Sequence, residues 1–196
     1  MAASKFNKKL RGQRGFTLIE TIVAISVLTI GLVGMAALMT EMTKNTSHSR
    51  YMSSASILAS EKLEDLNRYP PSDPEVAVTA GTAGSLNADV SSSGVNYYDQ
   101  VSLSATGGGI TETTSGSNGA GGTVYTTIVH LPDGTITSTT SATAPPITGA
   151  ELEFHRRWTI EKDSPVLGVR RITVLVTLTN PVIVKSVTFQ MSTVRP

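Results

Sequence analysis

An uncharged, largely apolar run of 20 residues from Thr21 to Thr40, TIVAISVLTIGLVGMAALMT, dominates the N-terminal part of this chain. About 20 apolar residues in a helix span the hydrocarbon core of a bilayer. A helix suits that environment because its backbone N–H and C=O groups pair within the segment. We therefore expect a membrane-spanning helix here, since a buried core helix is usually shorter.

Basic residues are concentrated before this run, and no acid precedes Glu20. Five of the 16 Lys and Arg residues lie there: Lys5, Lys8, Lys9, Arg11 and Arg14. This asymmetry predicts a cytoplasmic N-terminus and an exported remainder. Without the first 15 residues, the chain would contain 11 basic and 15 acidic residues and would be net negative. The basicity of the whole chain therefore does not indicate a nucleic-acid partner.

The order of the leader and the apolar run is unusual. A secretory signal has its apolar stretch before the cut, whereas the one plausible cut here, Gly15–Phe16, comes before the stretch. Glu20 lies four residues beyond Phe16, about 6 Å along a helix. A carboxylate in hydrocarbon usually has a partner, and the amine of Phe16 in a neighbouring subunit is better placed than its own. The alternative is a Glu20 side chain that reaches the lipid headgroups.

The string Arg14-Gly15-Phe16-Thr17-Leu18-Ile19-Glu20 resembles the processing motif of type IV prepilins, with a basic leader, a Gly-Phe junction and Glu as the fifth residue after it. The run from Phe16 to Leu38 resembles PilV-type minor pilins and, slightly less, minor pseudopilins of type II secretion. Two further tracts are similar to those subunits, Ala55–Glu64 and Gly168–Val174. The middle of the chain carries no motif of the family.

This resemblance implies cutting by a membrane prepilin peptidase after Gly15, N-methylation of Phe16, and docking into a filament through Glu20. The chain would be a substrate and not an enzyme. Implied partners are the peptidase, other major and minor pilins bound through the N-terminal helix, an inner-membrane assembly platform and the lipid bilayer. Implied locations are the inner membrane, with a periplasmic C-terminal domain, and then the pilus.

Two departures from major pilins favour a minor subunit. The apolar run has no proline, and the chain has no cysteine for a C-terminal disulfide. Gly31 and Gly34 stand in the run instead. They fit close helix packing in a membrane, or local melting of the helix when the subunit leaves lipid, because glycine costs about 1 kcal/mol relative to alanine.

The helix is predicted to run from Phe16 to about Arg68, where Pro70 and Pro71 end it. Its second half carries an apolar stripe with a polar middle: Leu38, Met42, Asn45, Ser49, Met52, Ser56, Ala59, Leu63 and Leu66. The predicted organisation is a leader over 1–15, a transmembrane or filament-core helix over 16–40, an amphipathic half over 41–69, a variable region over 70–150 and C-terminal strands over 151–196.

The variable region is rich in small polar residues. Residues 81–150 hold 12 Gly and 24 Ser or Thr, and no Lys or Arg. Ser115–Gly122 is predicted as a loop, Tyr97–Ala105 as a short strand, and Thr123–His130 with Thr135–Thr139 as a hairpin around Pro132-Asp133-Gly134. The region is either an adhesive or partner-facing loop or a solvated linker.

The C-terminal part shows clear alternation of apolar and polar residues. Three runs, Leu152–Ile160, Ile172–Thr179 and Ile183–Thr193, predict an antiparallel meander with one face on the helix. The predicted fold class is α+β and type IV pilin-like, with the second half of the long helix packed on an antiparallel sheet.

No catalytic, cofactor or metal motif is evident. His48, His130 and His155 lack metal-ligand spacing, and Asp89 and Asp99 do not form a calcium loop. Arg156, Arg157, Arg170 and Arg171 would give a basic patch, but DNA is an unfavoured partner. The sequence thus favours a minor pilin. Alternatives are a minor pseudopilin, or a single-pass anchor for a periplasmic binding or adhesin domain.

Overall fold

The computed structural model describes residues 15–92, 94–103, 109–146, 152–180 and 186–196. The five basic leader residues and the start of the predicted third C-terminal strand, residues 183–185, lie outside the described residues. The chain divides into two compact units, Met1–Thr43 and Lys44–Pro196. The long helix α1 begins in the first unit and ends in the second.

The described residues form one helix and ten strands. In chain order they are α1 Leu18–Arg68, β1 Thr82–Gly84, β2 Ser91–Ser92, β3 Val95–Asn96, β4 Tyr98–Leu103, β5 Ile110–Ser117, β6 Thr123–His130, β7 Ile136–Ser141, β8 Leu152–Lys162, β9 Arg170–Leu178 and β10 Thr188–Arg195.

The main sheet is antiparallel, with the strand order β10-β9-β8-β4-β5-β6-β7. Strands β8, β9 and β10 form the predicted meander. Strand β4 pairs with the first half of β8, from Tyr98 opposite Arg157 to Leu103 opposite Leu152. Strand β1 pairs with the second half of β8. A strand of the Gly/Ser/Thr-rich region therefore lies at the centre of the sheet.

The core lies between the second half of α1 and this sheet. Buried helix residues are Ala55, Leu58, Ala59, Leu63 and Leu66. They belong to one cluster with the inward side chains of β8 and β9, which are Phe154, Trp158, Ile160, Ile172, Val174, Val176 and Leu178. The predicted α+β, pilin-like fold class is confirmed.

The predicted helix stripe is correct only near its end. Ala59, Leu63 and Leu66 are buried, whereas Leu38 and Met42 are exposed. The two exposed residues belong to the first unit, whose described residues, 15–43, are all exposed. The spacing of three and four residues continues across both units. It therefore does not distinguish helix residues that pack on the chain's own sheet from helix residues that are exposed in the isolated chain.

Helix α1 ends before Pro70 and Pro71, as predicted. Arg195 on β10 donates hydrogen bonds to the carbonyl oxygens of Asn67, in the last turn, and Tyr69, just beyond it. A cation is favoured at a helix C-terminus, where backbone carbonyls lack intrahelical partners. The end of the helix is therefore held by a strand 126 residues away in sequence.

The variable region is more ordered than its composition suggests. The hairpin around Pro132-Asp133-Gly134 is confirmed as β6 and β7. The predicted loop over Ser115–Gly122 is wrong for its first three residues, which belong to β5 and pair with Thr123–Tyr125. This polar, glycine-containing segment is extended because it pairs with β6. The local composition, on which the prediction of a loop depended, does not show that pairing.

Candidate functional site

The Gly15–Phe16 junction lies in exposed, non-helical backbone, three residues before α1 begins. A Cβ atom added to Gly15 would meet no other atom within 4 Å. The fold of the chain therefore does not require glycine at this position. The Phe16 side chain is 81% exposed and belongs to the continuous exposed, largely apolar segment 15–43, a kind of surface that lipid or a partner usually covers.

Thr17 caps the N-terminus of α1. Its carbonyl oxygen accepts hydrogen bonds from the backbone N–H groups of Glu20 and Thr21, at 3.1 and 3.2 Å. Its hydroxyl accepts a longer bond from Glu20 N–H at 3.4 Å. The Thr-x-x-Glu spacing is that of a capping box, a signal that sequence analysis missed. Glu20 stands in the first turn, where a carboxylate interacts favourably with the helix dipole.

The first part of α1 presents apolar side chains on all sides. Every residue from Gly15 to Thr43 is exposed. Five hydroxyl groups donate hydrogen bonds to carbonyl oxygens one turn earlier in the helix, those of Thr21, Ser26, Thr29, Thr40 and Thr43. Such bonds satisfy polar groups where no water is available. In the described part of the chain, α1 is the one helix long and apolar enough to cross a membrane.

Gly31 and Gly34 lie within continuous helix. Added Cβ atoms would meet no side chain within 4 Å at either position. The packing of the chain on itself therefore does not explain either glycine, and both predicted roles, close packing and local melting, concern contacts with other molecules.

A buried ion network that sequence analysis missed joins α1 to the sheet. Arg156 on β8 is fully buried and donates two hydrogen bonds to Asp99 on β4, at 2.7 and 2.8 Å. It also pairs with Glu112 on β5. Lys62 Nζ on α1 lies 3.4 Å from Asp99 Oδ2 and 4.4 Å from the ring centroid of Trp158.

These contacts keep the buried pair charged. Burial by itself would raise the pKa of Asp99, but Arg156 and Lys62 bring that pKa below its ordinary value. Burial would likewise lower the pKa of Arg156, but Asp99 and Glu112 hold it above its ordinary value. In the sequence, Arg156 already falls in the alternating series of apolar residues that face the core. A charged residue at such a position indicates a buried charge that needs a partner.

The four arginines do not form an exposed patch. Arg156 and Arg170 are buried, and Arg170 donates a hydrogen bond to the Val76 carbonyl at 3.1 Å. Arg157 pairs with Asp89, and Arg171 pairs with Glu161. In these contacts each of the four guanidinium groups already has an acceptor.

The structure separates the other candidate ligands. Asp89 contacts Arg157 while Asp99 contacts Arg156, and neighbouring residues on a strand face opposite sides of the sheet. His155 Nε2 lies 3.3 Å from Asp89 and His130 Nε2 lies 3.6 Å from Glu112. Burial lowers the pKa of His155, with Asp89 opposing this shift. Across the described residues, no three His, Cys, Asp or Glu side chains are grouped to hold a metal ion.

A largely apolar exposed helix behind a Gly-Phe junction, continuing into a helix packed on an antiparallel sheet, defines a type IV pilin-like arrangement. The family model described as "Prokaryotic N-terminal methylation motif" matches residues 10–36. Residues 10–36 therefore carry the N-terminal motif of type IV prepilin-like proteins. Proteins with this motif are processed by prepilin peptidase and assemble with other pilins. No curated protein and no solved structure is significantly similar to the chain.

Proposed function

We propose that this protein is a PilV-type minor pilin, processed by prepilin peptidase and incorporated into a type IV pilus as part of a tip or priming complex. The observation that carries the proposal is the fully exposed, largely apolar segment from Gly15 to Thr43. So much apolar surface requires lipid or the helices of other subunits around it. A bilayer before assembly and a filament core after it would supply both environments.

In this proposal the peptidase cuts between Gly15 and Phe16 on the cytoplasmic side, and Phe16 becomes the N-methylated first residue. Glu20 pairs with the terminal amine of a neighbouring subunit and sets the register of docking. The second unit, Lys44–Pro196, lies in the periplasm until assembly and on the filament afterwards. The work of the protein is structural and not enzymatic.

The minor-subunit assignment is supported by the absence of cysteine from the chain and of proline from the apolar run. Gly31 and Gly34 would let the helix melt locally as the subunit enters the filament. A filament reconstruction with unbroken helix through both glycines would contradict this part of the proposal.

A minor pseudopilin of type II secretion is the nearest alternative, because the same N-terminal motif and helix serve both machines. Deletion of the gene, assayed for surface pili and for secretion of folded exoproteins, separates the two. We expect loss of pili with normal secretion. Loss of secretion with normal pili would instead assign the protein to the secretion system.

Substitution of Glu20 separates a filament subunit from a single-pass anchor that holds a binding or adhesin domain. We expect Glu20→Ala to lower the fraction of the protein in sheared filaments by about tenfold or more, since a charge pair in an apolar core is lost. Quantitative immunoblotting of filament and membrane fractions measures this. Glu41→Ala, in the same helix beyond the apolar run, is the matched control and should assemble normally. Normal assembly of Glu20→Ala would contradict the proposed pairing.

A further inference from the structure

The sheet face opposite α1 carries a compact set of polar side chains. Val101 and Phe154 are buried on the helix side, so their neighbours along β4 and β8 face away from α1. The register places Glu153, Ser102 and Thr111 in one row across three strands. Gln100 and Thr113 stand opposite each other in the next row. Adjacent strands lie about 4.8 Å apart, so these side chains are immediate neighbours.

A groove lies over these rows. Its lining residues are Gln100, Ser102, Thr111, Thr113, Tyr125, Glu153 and the segment 144–146, and its volume is about 410 Å³. Although they point away from the core, Thr113 and Glu153 are only 7% and 9% exposed. Polar side chains on an open sheet face are normally solvated, so the low exposure of these two residues, in a groove also lined by the segment 144–146, indicates a partly enclosed polar site.

The charge of the groove restricts what it can bind. The Glu153 carboxylate is the one charged group among the lining residues, and none of them is a cation. The region from residue 81 to 150, which supplies most of the lining, has no Lys or Arg. An anionic ligand would meet a carboxylate and no positive charge among the lining residues, and Arg157, further along the same face of β8, already pairs with Asp89. Phosphate and acidic sugars therefore fit poorly.

The hydrogen-bonding groups fit a neutral, polyhydroxylated ligand. The hydroxyls of Ser102, Thr111 and Thr113 both donate and accept, the Gln100 amide does the same, and the Glu153 carboxylate accepts. A sugar hydroxyl needs such mixed partners. Tyr125 and the proline rings of the segment 144–146 add apolar surface for the C–H face of a sugar ring. A few placed polar groups beside apolar walls are typical of small-molecule sites.

We propose that this groove binds a neutral oligosaccharide. The site uses the Gly/Ser/Thr-rich region, which filament assembly through the N-terminal helix does not involve, and it therefore goes beyond the proposed pilin function. Binding at the groove would give a pilus subunit, or an anchored domain, a means of attaching to glycans.

The full chain in a detergent without a sugar headgroup is titrated by calorimetry with maltohexaose, cellohexaose and chitohexaose. We expect at least one of these neutral hexasaccharides to bind, and hexagalacturonate and spermine not to bind. The double variant Gln100→Ala/Ser102→Ala should weaken that binding by about tenfold or more, since two hydrogen-bonding groups are lost. Tyr125→Ala, on another strand, provides an independent variant and should also weaken it.

The matched control is Thr137→Ala/Thr139→Ala, which removes two hydroxyls from the same face of the sheet on β7, outside the groove. It should bind as the wild type does. The single tryptophan, the buried Trp158, reports by fluorescence that each variant is folded. Failure of all three neutral hexasaccharides to bind would overturn the proposal. So would preferential binding of spermine or hexagalacturonate, or neutral binding that the groove variants leave unchanged.

Discussion

A Gly15→Val chain should keep its leader, and the processed form should fall from nearly all of the protein to background. A Cβ at Gly15 meets nothing within 4 Å, so valine leaves the fold of the chain undisturbed. The loss would arise in the peptidase, where a branched side chain beside the scissile bond obstructs approach. Intact-mass measurement of the membrane-extracted protein reads the presence or absence of residues 1–15 directly.

Gly12→Val is the matched control, because it places the same side chain three residues upstream in the same leader. It should be processed as the wild type is. Normal processing of Gly15→Val would mean that the cut lies elsewhere. A wild-type protein that keeps its leader in cells with active peptidase would contradict the processing proposal itself.

Arg156→Met should lower the free energy of unfolding by about 3–5 kcal/mol, because it leaves the buried Asp99 carboxylate without its principal partner. Asp99 is 1% exposed, and its remaining ion-pair partner among the described residues would be Lys62, at 3.4 Å. Methionine nearly preserves the volume of the arginine side chain. The loss of stability therefore measures the removal of the charge and not the creation of a cavity. Urea unfolding of the full chain, followed by Trp158 fluorescence, measures the change.

Arg157→Met is the adjacent control. Arg157 pairs with Asp89, which is 42% exposed, and exposed ion pairs contribute about 0–1 kcal/mol. Equal destabilisation by the two substitutions would show that the buried network contributes no more to stability than the exposed ion pair does. Replacing both Arg156 and Asp99 with apolar residues should restore part of the stability, since the two fully buried charges are then both removed. Glu112 and Lys62 lose these partners but keep side chains that are 18% and 15% exposed.

The same network makes stability depend on acid pH. The pKa of Asp99 is lowered in the folded protein from its ordinary value of 3.8. The folded state therefore binds a proton less readily than the unfolded state. The stabilisation from Asp99 is fully present above about pH 4 and is lost as the pH falls below that value through the folded pKa.

The outline of the fold was predictable because its signals are local. The apolar run, the two prolines after Arg68 and the alternation in β8 and β9 each depend on neighbouring residues. The same holds for the Gly-Phe junction and Glu20, which form a short linear motif. These features could be predicted without knowing which segments of the chain contact one another.

The parts that were missed depend on contacts between distant segments. Strand β5 is polar, and its pairing with β6 is what holds it extended. Asp99 and Arg156 stand 57 residues apart, and their separate positions in two strands do not reveal that β4 lies beside β8. Isolated charges at inward-facing positions are the pattern that would have indicated a buried pair.

Strands β5, β6 and β7 add width to the sheet without filling its interior. Among the described residues, none of the fully buried apolar side chains comes from these three strands. The hydrophobic interior is complete with α1, β4, β8, β9 and neighbouring segments, while β5–β7 extend one edge. Apart from Glu112, which pairs with the buried Arg156, these strands and their turns can lengthen, shorten or change their surface chemistry with little effect on the hydrophobic core. Diversification of surface properties, by mutation or by engineered peptide display, therefore has a natural place at the turn between β5 and β6.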